Sequence, residues 1–193
     1  MSSRPRGRPR KFDPADALAL AAERFRTRGY SATSLDELAE ATGLGRPSLH
    51  AAFGDKRALY LAALRRAHDR QAAELAALAA TALPIREALA RLFAGAIHGH
   101  LSGERGPSGC LLTGTAPAEA VADGEVRAAL AAHLAAQDRL VADLLRACGS
   151  PAPEPQARIV AATLHSLSVR ARAGEGRAAL ERLARDCIAL VVD

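Results

Sequence analysis

Four arginines and a lysine stand among the first twelve residues, with no acid between them. The core of this run, Arg6-Gly7-Arg8-Pro9-Arg10, alternates guanidinium groups with residues that keep the chain extended. Such a segment can follow a narrow AT-rich minor groove, whose enhanced negative potential holds guanidinium groups. Arg4 and Lys11 can add phosphate contacts. A second group, Arg46, Ser48, His50 and Ala51, lies in one short helical stretch. Arg and Ser can hydrogen-bond to base edges or phosphate, His50 can donate to a guanine acceptor or a phosphate, and Ala51 can touch a thymine methyl. A third group is redox- or metal-capable. Cys110 follows a Gly-rich loop and begins a helix, where the helix field can lower a thiol pKa. It is either a sensor thiol or a small buried hydrophobe. His98 and His100 are two apart and do not share a helix face. His133 and His165 could approach Cys110 in space, but nothing in their spacing defines a ligand set. No metal site and no cofactor are assigned. Enzyme chemistry finds no support, since the chain has no Gly-rich phosphate loop, nucleophile elbow, carboxylate set or metal-ligand helix.

The charge distribution sharpens the first two groups. Residues 1–70 carry 14 basic and 8 acidic groups, whereas residues 71–193 carry 12 and 13. The positive field belongs to the first third, as expected when one small unit faces a polyanion and the rest does something else. The three cysteines, Cys110, Cys148 and Cys187, form no close pair, which fits a reducing cytoplasm. No uninterrupted run of apolar residues is long enough for a membrane span, and the basic N-terminus is not read as a signal peptide.

The elements that must position these groups are helices. The chain is 49% hydrophobic but only 3% aromatic, dominated by Ala and Leu. Neither loses much rotamer freedom in a helix. Residues 1–12 are expected to be disordered without a partner. Asp13 and Pro14 open a first helix that stops at Gly29. Thr33 or Ser34 can cap a short second helix ending at Gly43, with Ser34 and Glu37 in a capping-box pattern and Leu35, Leu38 and Ala39 inward. Gly45 leads to a third short helix with Leu49 and Phe53 inward, and Gly54-Asp55 recaps a long fourth helix from Lys56 to about residue 80. Helices are then expected from Pro84 to about 101, over 110–122, 125–147, 154–173 and 175–192. The total is about nine in an all-α fold.

Two short helices joined by a three- or four-residue turn with glycine make a helix-turn-helix, with the second helix able to lie in the major groove. The reading divides the chain into a basic arm (1–12), a helix-turn-helix DNA-binding domain (13–60) and a helical effector-binding and dimerisation domain (61–193).

In residues 14–64 an ordered set of matches resembles the N-terminal domain of the tetracycline-repressor (TetR/AcrR) family. It comprises Ala17 to Phe25, Gly29-Tyr30, Thr33-Ser34-Leu35, Leu38-Ala39, Gly43-Leu44, Arg46-Pro47-Ser48-Leu49-His50, Phe53, Lys56, Leu59 and Tyr60. The resemblance implies a homodimer whose last two helices form a four-helix interface. Its middle helices would enclose a small-molecule pocket, and ligand would change the spacing of the two DNA-reading heads. It implies a phosphate contact for Thr33, places Arg46, Ser48 and His50 on the recognition helix, and has Lys56 grip phosphate with the helix N-terminus. His50 stands where Tyr is usual and Gly45 where a capping Ser is usual. Gly54-Asp55-Lys56 and Gly109-Cys110-Leu111-Leu112 match a subgroup that also has an arginine-rich arm.

The function expected is therefore a sequence-specific DNA-binding regulator, a repressor whose affinity for a near-palindromic duplex operator is controlled by an unidentified small-molecule or redox effector. Phe93, Ile97, Cys110, Leu134 and Leu164 are candidate pocket residues, in a wall read as largely aliphatic with Leu92, Leu111, Leu112, Val126 and Leu130. Leu164, Leu167, Leu180 and Ile188 are candidate dimer residues; all could instead be plain core. The alternative is an architectural DNA-binding protein with no effector, against which the large near-neutral C-terminal unit argues.

Overall fold

The computed structural model describes residues 13–103 and 106–192, so the arm with Arg6, Arg8 and Arg10 lies outside the described residues. Nine helices are present among the described residues: α1 (Pro14–Arg28), α2 (Leu35–Thr42), α3 (Arg46–Phe53), α4 (Lys56–Ala79), α5 (Ile85–Leu101), α6 (Leu111–Glu119), α7 (Gly124–Ala147), α8 (Pro153–Arg172) and α9 (Arg177–Val192). Their starts follow local chemistry. Asp13 accepts from the Ala15 amide, and Asp55 from that of Ala58, each satisfying a donor the first helical turn leaves free. The capping box is complete: Ser34 Oγ accepts from the Glu37 amide while Glu37 Oε2 accepts from the Ser34 amide. Gly43 takes the left-handed conformation (φ 68°) that turns the chain from α2 toward α3.

Two buried clusters organise these helices. One gathers Ala21, Phe25, Leu38, Leu49, Leu59, Tyr60 and Leu64 of the first four helices. The other joins α5, α7, α8 and α9 through residues such as Leu89, Phe93, Leu144, Leu167 and Leu180. The long α4 enters both, with Leu59 to Leu64 in the first and Leu75 in the second. The N-terminal cluster is not closed by residues 13–60 alone. Leu111, Leu112 and Ala116 of α6 and Val126 of α7 complete it.

The inner face of the second helix is narrower than the periodicity suggested. Leu38 is fully buried, but Leu35 at the first turn is 41% exposed, because the neighbouring helices do not cover the start of α2. Three of the four expected interface residues, Leu164, Leu167 and Leu180, are used by the protomer's own core, where α8 and α9 pack on α5 and α7. Ile188 is half-buried. No helix among the described residues is long and apolar enough to cross a membrane.

Candidate nucleic-acid interface and ligand cavity

α3 begins at Gly45, which supplies no side-chain cap, and Pro47 occupies its first turn. Leu49 is its buried anchor. Around this anchor, Arg46, Ser48, His50 and Ala51 are all exposed, so one short helix presents four side chains to solvent on a rigid support. Arg46 is already engaged. Its guanidinium forks onto Asp36 of α2, with Nε donating to Oδ1 at 2.6 Å and a second bond from Nη2 to Oδ2. The bidentate pair holds the Asp36 carboxyl below its usual range. Because both groups are solvent-exposed, the pair orients Arg46 more than it stabilises the fold.

Thr33 and Lys56, assigned to phosphate by resemblance, are used differently. Thr33 is 1% exposed, and its hydroxyl donates to Gly29 O at 2.6 Å, inside the turn between α1 and α2. The Lys56 ammonium donates to Tyr30 O at 3.0 Å and Thr33 O at 2.9 Å and lies 4.3 Å from the centre of the Tyr30 ring. Both side chains close the turn that sets α2 against α1. Their positive or polar ends add donors to the backbone carbonyls of that turn.

An aromatic cluster that periodicity did not single out joins this head to the rest. Tyr60 packs edge-on to Phe25 with ring centres 5.1 Å apart and lies 4.7 Å from Tyr30. Its hydroxyl shares a 2.7 Å hydrogen bond with Thr115 of α6, and burial pushes its pKa up to about 12. Arg57 reaches α7, donating through Nη2 to Asp123 at 2.9 Å and to Glu125 at 3.0 Å. Asp123 caps α7 at the same time. On the far side, Arg26 of α1 donates to Gly99 O and Gly109 O, while Arg172 of α8 donates to Gly114 O and Arg26 O.

Between these connections lies a cavity of about 730 Å³, within the size range of small-molecule sites. Cys110 and Leu164 line it, as do Leu92 and Leu111. Phe93 and Ile97 do not: they point into the α5–α9 core, each 1% exposed. Leu134 is half-buried and also outside the wall, while Leu112, Val126 and Leu130 pack in the N-terminal cluster. The wall is not the aliphatic surface expected. It includes Arg26, Arg66, Gln71, His100, His133 and His165. Five helices, α1, α4, α5, α7 and α8, bring these polar side chains around a shared hollow. His133 lies with Cys110 on this wall, but no group of three His, Cys, Asp or Glu suited to a metal occurs among the described residues. His100 and His133 are each pushed down to about 4, chiefly by burial, so both are neutral near pH 7.

Gly109 sets the position of Cys110. Its φ is 66°, and a Cβ there would stand 2.7 Å from Ser168 O, so the loop approaches α8 as only glycine permits. The Cys110 amide then donates to Ser168 Oγ at 2.8 Å. The thiol accepts from Gln71 Nε2 at 3.5 Å and the residue is 8% exposed.

Comparison with known proteins agrees with this architecture. A family model described as "Bacterial regulatory proteins, tetR family" matches residues 17–63. The HTH-type transcriptional repressor ComR of Escherichia coli (strain K12) is 34% identical over 186 residues, covering 92% of this chain and 87% of ComR. The HTH-type transcriptional repressor BdcR of the same organism is 34% identical over 110 residues, covering 57% of this chain and 55% of BdcR. The TetR family transcriptional regulator CifR, solved as a cysteine mutant with 26bp double-strand operator DNA, is 32% identical with a TM-score of 0.77, covering 94% of this chain and 98% of that one. The extent of the ComR match, together with the helix-turn-helix and the nine-helix order, shows that the chain belongs to the tetR family of bacterial regulatory proteins, sequence-specific DNA-binding regulators of transcription rather than enzymes.

Proposed function

We propose that the protein is a homodimeric repressor that binds a near-palindromic operator and releases it when a small molecule enters the cavity. The observation that carries this reading is the position of the cavity. Its wall draws on α1 of the DNA-reading head, on the part of α4 that runs out of that head into the second cluster, and on α5, α6, α7 and α8, which lie outside it. A ligand there would touch both units at once, and Arg26 would be within its reach while also holding the end of α1 to Gly99 O and Gly109 O. An architectural DNA-binding protein has no use for such a hollow. Oxidation at Cys110 is the second form the signal could take, and the thiol's place on the same wall favours it. Its low exposure makes a small molecule the first choice.

Arg46, Ser48 and His50 are proposed as the residues that read bases or phosphate. Arg6, Arg8 and Arg10 would track the adjacent minor groove. Thr33 and Lys56 contribute by fixing the turn beneath α2, so that helix N-termini rather than these side chains meet phosphate. Two heads are required because one reads only a few base pairs. The dimer would form on α8 and α9, where Ile159, Ala162, Val169 and Leu190 remain exposed after the core is filled. ComR and BdcR being named repressors supports the sign of regulation, and CifR with its operator supports duplex DNA as the partner.

Selection from random duplex DNA by the purified full chain tests this. Enrichment of a near-palindrome is the expected result, and Arg46→Ala should then lose about 1–3 kcal/mol of binding at particular base pairs. Enrichment of AT-rich DNA without a motif would favour the architectural role. Equal losses on operator and random DNA would remove Arg46 as a base reader.

A further inference from the structure

The cavity carries an uneven charge. Four guanidinium groups, Arg26, Arg66, Arg70 and Arg91, line it against two carboxylates, Glu23 and Glu74. Three of the four are answered within the protein. Arg26 forks onto Glu23 at 2.8 and 2.7 Å, Arg70 faces Glu74 at 3.5 Å, and Arg91 donates to Glu87 at 2.8 Å. Arg66 is half-buried and has no partner among the described residues. A guanidinium keeps five donors in a fixed fork that matches a carboxylate and is always charged. The unanswered charge at Arg66 favours an anion and repels an amine.

The floor makes a different demand. Gln71 gives its Nε2 to Cys110, which leaves its buried Oε1 with no donor. His133 is 3% exposed, and its Nδ1 lies 3.4 Å from His68 Nδ1, so its Nε2 is the buried atom without a partner. Gln71 and His133 both line the cavity and also share a smaller recess beside Leu75 and Ala136. An amide oxygen accepts only, and a neutral imidazole nitrogen either donates or accepts according to tautomer. A hydroxyl does both, and can donate to Gln71 Oε1 while pairing with His133 Nε2. Arg66 precedes Gln71 by five residues on α4, about 7.5 Å along a helix axis. The facing wall of α5 is built from Gly95, Ala96 and Gly99, and a Cβ at either glycine would meet no heavy atom within 4 Å.

We propose that the cavity takes a small hydroxy acid, its carboxylate on Arg66 and its hydroxyl between Gln71 Oε1 and His133 Nε2. The assignment rests on the reading of the cavity as the effector site. It names the ligand's chemistry: an anionic group at one end, a hydrogen-bond donor at the other, and a short apolar span between them against Leu75, Leu92 and the α5 glycines.

Calorimetry and operator-release assays with the full chain would use ω-hydroxyalkanoates of increasing length, the matching alkanoates, their methyl esters, α,ω-diols and ω-aminoalkanols. At least one hydroxy acid should bind and release operator. Its alkanoate and its methyl ester should each bind about tenfold more weakly. Arg66→Gln should erase the acid-over-ester preference, and Gln71→Leu the preference for the hydroxyl. Gly95→Leu fills the hollow from an open helix face and should abolish binding while leaving the circular dichroism spectrum unchanged. Diols, esters or aminoalkanols binding as well as the acids, with loss in Gly95→Leu, would overturn the ligand class and leave the effector reading standing. No member of the series binding would also overturn the class. If Gly95→Leu then left operator affinity unaltered as well, the effector reading would fall with it.

Discussion

Arg46, the foremost base-reading candidate on α3, is held by Asp36 on the preceding helix through a bidentate ion pair. The pair spans the two helices of the helix-turn-helix, so it fixes the direction of the guanidinium before DNA arrives. If α3 meets DNA as proposed, a base acceptor must compete with a carboxylate, and a negative charge would stand close to the phosphate backbone. Asp36→Ala should therefore tighten binding to random duplex by about fivefold and reduce discrimination between operator and random DNA. Fluorescence anisotropy titrations on both DNAs at two salt concentrations would show this. Unchanged affinity on both would mean that Arg46 does not turn toward DNA.

Lys56 stabilises the head from inside. Its ammonium donates to the carbonyls of Tyr30 and Thr33 and lies over the Tyr30 ring. Lys56→Met keeps the stem and removes both charge-assisted bonds. It should cost about 2 kcal/mol, measured as a lower urea midpoint. A variant as stable as the parent but unable to bind DNA would return Lys56 to a direct phosphate role.

Acid should weaken the fold before the carboxylates titrate. His100 and His133 have folded-state pKa values near 4 against about 6.5 when free, so between these values the unfolded chain binds more protons than the folded one. Stability is full above about pH 6.5 and falls as pH drops toward 4, by up to about 1.4 kcal/mol per pH unit for each group. Thermal melts from pH 7 to pH 4.5 should show the decline, and His133→Gln should flatten it. The carboxylates held low by partners, such as Asp123 beside Arg57, add their own loss only at lower pH.

The dimer surface is open to a single substitution. Val169 on α8 is 57% exposed, and Val169→Asp would bury a carboxylate in an interface formed there. Light scattering should report a monomer with unchanged helicity, and operator affinity should fall by about a hundredfold as the second head's contribution is lost. A dimer that survives both Val169→Asp and Leu190→Asp would place the contact elsewhere.

Gly109→Ala tests the loop that carries Cys110. With φ at 66° and Ser168 O at 2.7 Å from the new methyl, the loop must leave α8 and break the Cys110–Ser168 bond. A loss of about 1–3 kcal/mol is expected in denaturant unfolding.

Helix order was legible because the starting signals are local. Asp13-Pro14, Ser34 with Glu37, and Asp55 each satisfy amides within three residues of themselves. The outward set on α3 was legible for the same reason, since Leu49 alone fixes which face is buried. What a side chain meets across the fold was not. Thr33 and Lys56 have exposed-residue chemistry, and only the turn at Tyr30 gives them inward partners. Leu167 and Leu180 could have faced a second subunit or their own core, and periodicity cannot separate the two. The approach of His133 and His165 to Cys110 was open in the sequence, but the polar cavity as a whole was hidden, because Arg66 and Gln71 join it only through the packing of α4 against α7.

The burial of Leu111, Leu112 and Ala116 beneath Phe25 and Tyr60 limits how this regulator can be rebuilt. A graft that ends at the fourth helix would strip the recognition unit of part of its own interior, exposing apolar side chains and the Tyr60 hydroxyl together. Exchanging DNA specificity between relatives must therefore carry the sixth helix along or reshape its inward face to suit the new head. Any signal that shifts this helix acts on the folding stability of the DNA-binding unit as directly as on its orientation.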